Sequence, residues 1–311
     1  MTKEHVATKK APSMTWYARM LTILKGWEIL AVGPVVTIAL WPVTLPAWAY
    51  MWSLSVVTFF GCKWLTWRRA NLKSKISLGA HLTYLFAWPG MEPRGFFAPQ
   101  SSENEVALRE WVCALLKLSG GLIVLFFVCP LLSKTAIPRY GFAWCGMAAI
   151  AFVLHFGLFH LLSCYWRLQG KKAPLLMNLP ICSHSVADFW GNRWNMAFRD
   201  ITHRHLFGPL TRLWGPRRAL LVGFFFSGLI HDLVISVPAD GGYGLPTLFF
   251  MLQSVGILVS RSPIGKRLRI HRGLRGWLFT LLVVVVPSPL VFHPKFASQV
   301  VLPFLETIGA A

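Results

Sequence analysis

The sequence predicts an all-α membrane protein, a bundle of about seven to eight transmembrane helices with interfacial or re-entrant segments between them. Hydrophobic residues make up 55% of the 311 residues and charged residues only 14%, whereas soluble domains are about 25% charged. Apolar runs recur along the whole length, which indicates one polytopic domain rather than a soluble domain with a membrane anchor. We assign residues 28–311 to that domain and residues 1–27 to a basic cytoplasmic segment, in which we expect no removable signal peptide.

Seven apolar runs approach the roughly 20 residues that a helix needs to cross about 30 Å of hydrocarbon. In chain order they are residues 28–44, 47–64, 111–132, 142–166, 219–237, 245–259 and 276–292. Pro34 and Pro42 predict a kink in the first run, which neighbouring helices or water can accommodate by satisfying the freed carbonyl groups. The run 245–259 is short, so it requires a thinned bilayer or a contribution from flanking residues.

The distribution of lysine and arginine predicts which side of the membrane each loop faces. If the N-terminus is cytoplasmic and residues 75–88 do not span, the basic loops all lie on the cytoplasmic side; these are residues 63–75, 167–172, 193–218 and 261–275. Of the 31 lysines and arginines, only Lys134, Arg139 and Lys295 then fall outside, in agreement with the positive-inside rule. We therefore predict that residues 75–88 form a re-entrant or interfacial helix, because a span there would place the 63–75 cluster on the outer face.

Polar side chains after position 184 recur at the spacing of one helical face. They are Ser185, Asp188, Asn192, Asn195, Arg199 and His203. The positions opposite them are apolar, so this segment predicts one continuous amphipathic helix at the cytoplasmic interface. Short amides and carboxylates suit a protein-lined cavity, although a solvated face is the alternative. Gly191, within the helix, predicts either close backbone packing or a locally opened turn.

His231 lies near the middle of the apolar run 219–237, where an imidazole is costly to place and marks a candidate functional site. Ser227 lies one turn earlier on the same face, within reach of the ring. The alternative is a structural histidine held by a serine or a backbone carbonyl. Asp232 points about 100° away from His231, so we expect it to pair with a cation on another helix.

The remaining histidines and the cysteines form no metal-binding pattern, and we predict no metal site. His155 and His160 can line the same cavity as His231, but a spacing of five places them on different faces of a helix. His203 and His205 lie in a basic loop, where we expect them to be solvated. The six cysteines are scattered without a C-x-x-C pair, and no H-E-x-x-H occurs.

Two blocks of this sequence resemble the membrane-bound O-acyltransferase family, in particular its wax-synthase-type branch of long-chain-alcohol O-fatty-acyltransferases. The first is residues 188–195 (Asp-Phe-Trp-Gly-Asn-Arg-Trp-Asn), and the second is residues 227–232 (Ser-Gly-Leu-Ile-His-Asp) with the glycine-rich loop after it. Both lie within a motif core of residues 183–262, and residues 84–91 resemble the segment ahead of the family's central helices. In the family, the asparagine of the first block and the buried histidine form the active-site pair. The resemblance assigns these roles to Asn195 and His231.

The resemblance implies transfer of a fatty acyl group from acyl-CoA, as co-substrate, to the hydroxyl of a lipid alcohol, with no other cofactor. Neutral His231 suits the role of general base, and Asn195 can hydrogen-bond the hydroxyl or the developing oxyanion. The substrate-binding residues we expect around this pair are Asp188, Trp190, Arg193, Trp194, Arg199 and Ser227. Fatty alcohol, sterol, diacylglycerol and a small polar alcohol all remain open as acceptors.

The net charge of +20 has two compatible explanations. It reflects topology and attraction to anionic membrane lipids, and a basic cytoplasmic rim also attracts a polyanion such as coenzyme A. The cations sit in short loops rather than on a soluble module, so we expect no nucleic-acid partner. We expect a multi-pass protein of the bacterial inner membrane or the endoplasmic reticulum. The competing functions are a transporter or channel with a His231–Asp232 proton relay, and a non-catalytic lipid-binding protein.

Overall fold

The structure is a computed structural model that describes residues 25–72, 75–98 and 106–311. Within these ranges all regular elements are helical, as predicted. Residues 1–24 of the predicted N-terminal segment lie outside the described residues. The long helices are α1 (Glu28–Ala39), α2 (Ala47–Arg68), α3 (Leu78–Ala87), α4 (Leu108–Leu132), α5 (Arg139–Leu168), α6 (Met196–Ala239), α7 (Leu245–Arg261) and α8 (Gly273–Val291). Short helical segments connect or follow them: Pro93–Phe96, Pro180–Cys182, Val186–Asp188, Pro263–Arg267, Pro294–Phe296, Ala297–Val301 and Leu302–Thr307.

Helices α4, α5, α6 and α8 are long and apolar enough to cross a membrane by length and composition, whereas α1, α3 and α7 are shorter apolar helices. This architecture is that of an all-α membrane protein. Each predicted run coincides with a helix, but α1 ends at Ala39, ahead of the predicted end at position 44, because Pro42 disfavours helical backbone before it. The ten residues of α3 rise only about 15 Å. That length agrees with the prediction that this segment does not span.

Helix α6 is interrupted where it leaves the basic loop. Gly215 has φ 79° and ψ 165°, a backbone conformation open to glycine, and it precedes Pro216, which disfavours the helical region for the residue before it. The second part of α6 therefore begins afresh near position 216 and carries His231. Its helical backbone continues into a π-helical turn at Asp232–Ser236, a local widening that is frequent at functional sites.

Two clusters of buried side chains hold the bundle together. The first joins α4, α5, α6, α7 and the C-terminal segment, and its fully buried members include Cys129, Ala143, Val300 and Leu305. The second joins α2, α3 and the segments around positions 173–176 and 197–201; it includes Leu65, Tyr84, Trp88, Leu176 and Ile201. A large cavity draws its lining from residues of both clusters. The fold thus positions a cavity between two packed regions.

Lys63 is completely buried in the second cluster, although its place at the edge of a basic loop gave no such indication. Its ammonium group donates hydrogen bonds of 2.9 Å and 2.8 Å to the carbonyl oxygens of Trp88 and Gly90. The same nitrogen lies 3.3 Å from the ring centroid of Tyr84, a cation–π arrangement. Lys63 therefore fixes the 84–91 stretch against α2, and Trp88 and Pro89 of this stretch form part of the cavity wall.

Candidate active site

The cavity has a volume of about 1040 Å³ and is lined by α2, α5, α6, α7 and the segment 187–199. This volume is at the upper end of the usual range of about 300–1,000 Å³ for small-molecule sites. Most lining side chains are apolar, with a few polar groups among them. Both Asn195 and His231 are in the lining, although 36 residues separate them in the sequence. The structure thus brings the two predicted catalytic residues to one cavity.

His231 is fixed in one tautomer by its own helix. Its Nδ1 lies 2.7 Å from the carbonyl oxygen of Ser227, and since a carbonyl only accepts, Nδ1 must carry the proton in this contact. The hydroxyl of Ser227, which the sequence offered as a partner, is not the atom used. The ring packs on Phe250 of α7, with 4.3 Å between centroids. Nε2 is consequently the unprotonated nitrogen, with a lone pair free to accept a proton.

Asn195 is held in a tight turn ahead of the first part of α6. Its backbone is left-handed, with φ 44° and ψ 65°, a conformation that asparagine tolerates better than most residues. The side-chain Oδ1 accepts a hydrogen bond of 3.4 Å from the backbone N–H of Phe198 and so caps the helix. The side-chain Nδ2 has no protein partner in the described part of the chain. Capping therefore orients the amide and leaves an N–H donor available.

The prediction of one continuous amphipathic helix across this region is wrong. A single helical turn at Val186–Asp188 leads into a π-helical turn at Phe189–Arg193, and the backbone is then extended at Trp194 and left-handed at Asn195. Backbone bonds to the preceding loop cause the break: the N–H of Met196 donates to the carbonyl of Leu176, and the N–H of Asn178 donates to the carbonyl of Arg193. A Cβ added at Gly191 would meet no neighbour within 4 Å. Of the two interpretations of this glycine, the opened turn fits.

Asp188 and Arg193, both predicted to bind substrate, bind each other instead and are not in the cavity lining. Arg193 Nε donates to Asp188 Oδ2 at 2.6 Å, and its Nη1 donates to the carbonyl oxygens of residues 178 and 179. Burial acts to raise the pKa of Asp188, but the hydrogen bonds from Arg193, Asn192 and the backbone N–H of His184 outweigh it and lower the pKa below its ordinary value of 3.8. The ion pair braces the turn that presents Asn195.

The other four residues predicted to bind substrate do line the cavity: Trp190, Trp194, Arg199 and Ser227. Trp190 connects the two sequence blocks, because its Nε1–H donates to Gln253 of α7 at 3.3 Å and its ring packs on Phe224 and Phe250. Phe250 in turn packs on His231. One aromatic cluster therefore joins the turn around Asn195 to the histidine helix.

Trp194 and Arg199 stabilise the turn as well as lining the cavity. Trp194 stacks on Phe189, with 5.6 Å between centroids and 12° between ring planes. Arg199 Nε donates to the carbonyl oxygen of Gly191 at 2.8 Å, and its Nη1 pairs with Asp200 at 2.7 Å. The Nε and Nη1 atoms of Arg199 thus form hydrogen bonds with residues of its own segment.

Asp232 has no cationic partner in the described part of the chain, which corrects the sequence prediction. Its carboxylate instead accepts hydrogen bonds from the backbone N–H of Gly244 at 2.8 Å, the backbone N–H of Thr247 at 3.1 Å and the hydroxyl of Ser236 at 2.9 Å, and also from the hydroxyl of Thr247. Gly244 and Thr247 begin helix α7, and a negative charge is favourable at a helix N-terminus. Asp232 therefore anchors α7 to α6.

The other histidines divide by their position relative to the cavity. His155 lines it and His160 does not, while His203 and His205 are both in the lining. His203 is exposed, as predicted, whereas His205 is half-buried. Both occur in a π-helical turn, His203–Phe207, near the start of α6.

Among the described residues, Glu110, His160 and Cys164 are close enough together to share a metal ion. The carboxylate of Glu110 is already paired with Arg167, with 2.5 Å between Nη2 and Oε2. The ammonium of Lys117 lies 3.4 Å from Nδ1 of His160. Two cations at this cluster oppose the binding of a third, so the geometry does not favour a metal there.

One protein family matches the part of the sequence that carries the two candidate catalytic residues. The sequence model of the membrane-bound O-acyl transferase family matches residues 173–252, a segment that contains Asn195, His231 and Asp232. The match does not extend over the N-terminal helices.

Similar relatives carry related names. A probable long-chain-alcohol O-fatty-acyltransferase of Arabidopsis thaliana is 30% identical over 132 residues, 38% of this chain and 39% of the relative. The long-chain-alcohol O-fatty-acyltransferase of Simmondsia chinensis is 30% identical over 39% of this chain and 38% of its own length. An acyl-CoA–sterol O-acyltransferase of Arabidopsis thaliana is 26% identical over 38% of this chain and 37% of its own length. The chain thus matches less than two-fifths of the length of these relatives, and the matches confirm the predicted resemblance to wax-synthase-type membrane-bound O-acyltransferases.

Proposed function

We propose that this protein is an acyl-CoA-dependent O-acyltransferase that transfers a fatty acyl group to the hydroxyl of a lipid alcohol. One observation carries the proposal: His231 Nδ1 is committed to the carbonyl of Ser227, which leaves Nε2 as a proton acceptor at a cavity that Asn195 also lines. The names of the relatives, long-chain-alcohol and sterol O-acyltransferases, support the reaction class.

In the proposed reaction, His231 Nε2 takes the proton of the acceptor hydroxyl as the hydroxyl oxygen attacks the thioester carbonyl carbon. The carbonyl oxygen becomes an oxyanion, to which Asn195 Nδ2 donates a hydrogen bond, an interaction worth about 3–4 kcal/mol in the transition state. The carbon–sulfur bond then breaks, and His231 returns the proton to the departing thiolate of coenzyme A. The products are an ester and free coenzyme A, and His231 is neutral again.

The surroundings of the site suit two lipid-like substrates that enter by different routes. The apolar lining accommodates acyl and alcohol chains and excludes water, so that transfer competes with hydrolysis. Arg261, exposed at the C-terminal end of α7, is part of the lining, and it leads to the basic segment 261–275. We propose that the phosphates of coenzyme A bind at this edge and that the alcohol enters from the bilayer.

The membrane arrangement we propose has seven spans, a cytoplasmic N-terminus and a C-terminus on the opposite side. It places the basic loops and the coenzyme A entrance together on the cytoplasmic face, as the positive-inside rule requires. Cysteine labelling at Ser13 and Ser298, in a background without the native cysteines, should give opposite sidedness. Labelling of both positions from the same side would overturn the assignment of spans.

A proton relay through His231 and Asp232 receives less support from the geometry. Asp232 is saturated by neutral donors at the start of α7, and the only described contact of His231 Nδ1 is a backbone carbonyl. Neither residue hands a proton to the other in this arrangement.

The decisive experiment is incubation of purified protein in detergent or nanodiscs with labelled acyl-CoA and a panel of acceptors. The panel contains a long-chain fatty alcohol, a sterol, diacylglycerol and a small polar alcohol, so that the same assay selects the acceptor class. We expect labelled ester and stoichiometric free coenzyme A from at least one lipid alcohol. Absence of ester from every acceptor, with protein that is folded and binds acyl-CoA, would refute the proposed function.

A further inference from the structure

His155 on α5 lies in the same cavity as His231, but its imidazole is in the opposite situation. Nδ1 of His155 is buried and has no hydrogen-bond partner within the described ranges, and its ring packs edge-on against Phe159, with 5.4 Å between centroids. Nε2 likewise has no protein partner among the described residues. A polar ring held in an apolar wall without any partner is costly, so a bound molecule is expected to supply one.

The lack of a partner at Nδ1 determines which nitrogen of the neutral His155 ring carries the proton. A proton on the buried Nδ1 would be a donor without an acceptor, which is costly, whereas a proton on Nε2 can be donated to a bound molecule. The proton therefore resides on Nε2. His155 presents an N–H donor, whereas His231, whose Nδ1–H is used by Ser227, presents a lone pair. Of the four imidazoles in the lining, those of His155 and His231 thus have opposite hydrogen-bonding character.

The residue after His155 in the chain packs against the turn that carries Asn195. His155 sits in the π-helical stretch Phe152–Leu158 of α5, where the widened turn shifts the side chains relative to a regular helix. The next residue, Phe156, packs against Trp194, with 6.3 Å between centroids, and Trp194 directly precedes Asn195. This contact brings the π-helical stretch against the same part of the cavity wall.

We propose that His155 binds the acceptor alcohol, donating a hydrogen bond from Nε2 to the hydroxyl oxygen while His231 accepts the hydroxyl proton. A hydroxyl group is both donor and acceptor, so it matches the two imidazoles, whereas a thioester carbonyl offers no proton to His231. His155 thereby selects a hydroxyl-bearing acceptor and orients it for attack. The inference rests on the proposed acyltransferase function and adds the residue that recognises the acceptor.

Three variants separate the loss of the hydrogen-bond donor from changes in side-chain volume and in protein stability. His155→Leu removes the donor at similar volume, and His155→Gln keeps an N–H donor at a distance from Cα comparable to Nε2. The matched control is His160→Leu, because His160 is on the same helix and also has a buried, partnerless Nε2 but does not line the cavity. Each variant is assayed for KM of the alcohol, KM of acyl-CoA, kcat, melting temperature and equilibrium binding of labelled long-chain alcohol without acyl-CoA.

We expect His155→Leu to weaken alcohol binding and raise the KM of the alcohol roughly 3- to 10-fold, the effect of one neutral hydrogen bond. The KM of acyl-CoA should not rise, because His155 is proposed to bind the alcohol. The melting temperature should not fall, because the substitution also removes a buried nitrogen without a partner. His155→Gln should restore alcohol binding to within about twofold of the native protein, and His160→Leu should leave it unchanged. Unchanged alcohol binding in His155→Leu, or a selective rise in the KM of acyl-CoA, would overturn the inference. If the native protein binds alcohol through His155 but forms no ester, the inference stands and the proposed function fails.

Discussion

Two segments bring a neutral polar side chain to the cavity, and each does so with the help of a carboxylate that lies outside the cavity lining. In the turn before α6, Asp188 pairs with the guanidinium of Arg193 and braces the backbone that presents Asn195. In the histidine helix, Asp232 accepts only from neutral donors at the start of α7 and braces the turn that follows His231. The difference lies in the partner, a cation in one segment and a helix N-terminus in the other.

This difference follows from the surroundings of the two carboxylates. Asp188 lies in a connecting segment just ahead of the basic stretch 193–218, where an arginine is available. Asp232 lies inside an apolar helix, where a second buried charge would be costly, and the N–H groups of a helix start offer partial positive charge without a net charge. An acidic residue next to a candidate catalytic residue therefore need not be its proton partner.

The largest effect we expect comes from His231→Ala, which removes the proton acceptor and leaves both carboxylates in place. Ester formation per folded protein should fall about 10²–10⁴-fold, the usual contribution of a general base, while the melting temperature changes little. His203→Ala is the matched control, because His203 also contributes to the lining but is exposed, and it should keep most of its activity. Near-normal turnover of His231→Ala would make the imidazole structural and refute its role as base.

The second effect concerns Asn195, whose side chain both caps a helix and offers a donor. Asn195→Asp keeps an oxygen to accept from the N–H of Phe198 but loses the amide N–H. We expect ester formation to fall about 10²–10³-fold, as for loss of one oxyanion donor, with the fold retained. Asn195→Ala would confuse the result, because alanine is strained at φ 44° and lacks the cap. Full activity in Asn195→Asp would show that the cap is the whole role of this residue.

Much of the fold, but less of the site geometry, could be predicted from the sequence. The helices were predictable because apolar runs of membrane-spanning length are local signals, and the pairing of Asn195 with His231 at one cavity followed from the family resemblance. The break in the helix at Trp194 could not be predicted, because the side-chain spacing there fits a continuous helix. Only backbone hydrogen bonds to positions 176 and 178 interrupt it.

The partners of the charged side chains Asp232 and Lys63 could not be predicted from the local sequence either. Asp232 was expected to pair with a cation because composition reveals charges but not the free N–H groups of the next helix. The glycine-rich loop at 241–244 was the available clue, since such a loop lets a helix start approach a neighbouring side chain. Lys63 looked like part of a basic loop, yet it is completely buried and bonded to two carbonyl groups of a distant segment. Such contacts depend on the tertiary fold.

Substitutions of Asp232 distinguish a structural role at the start of α7 from a role in proton transfer. Asp232→Ala leaves the N–H groups of Gly244 and Thr247 without their acceptor, so the free energy of unfolding should drop by about 2–4 kcal/mol. Asp232→Asn keeps one acceptor oxygen and should be milder, with ester formation within about tenfold of the native protein. The measurements are melting temperature in detergent and ester formed per folded protein. Folded Asp232→Asn protein without activity would instead favour a carboxylate that takes part in proton transfer.

The smallest effect is expected at Asp188, where the partner is a cation at a half-buried position. Because the pKa of Asp188 is lowered on folding from its ordinary value of 3.8, the ion pair stabilises the folded protein above about pH 4, and this contribution is lost as the pH falls through the lowered pKa. Asp188→Asn should therefore reduce stability by about 1 kcal/mol near neutral pH and reduce the acid-induced fall in melting temperature between pH 5 and pH 3. If Asp188→Asn and the native protein lose stability in parallel over that pH range, the Arg193 pair does not hold the turn, and the contrast between the two carboxylates disappears.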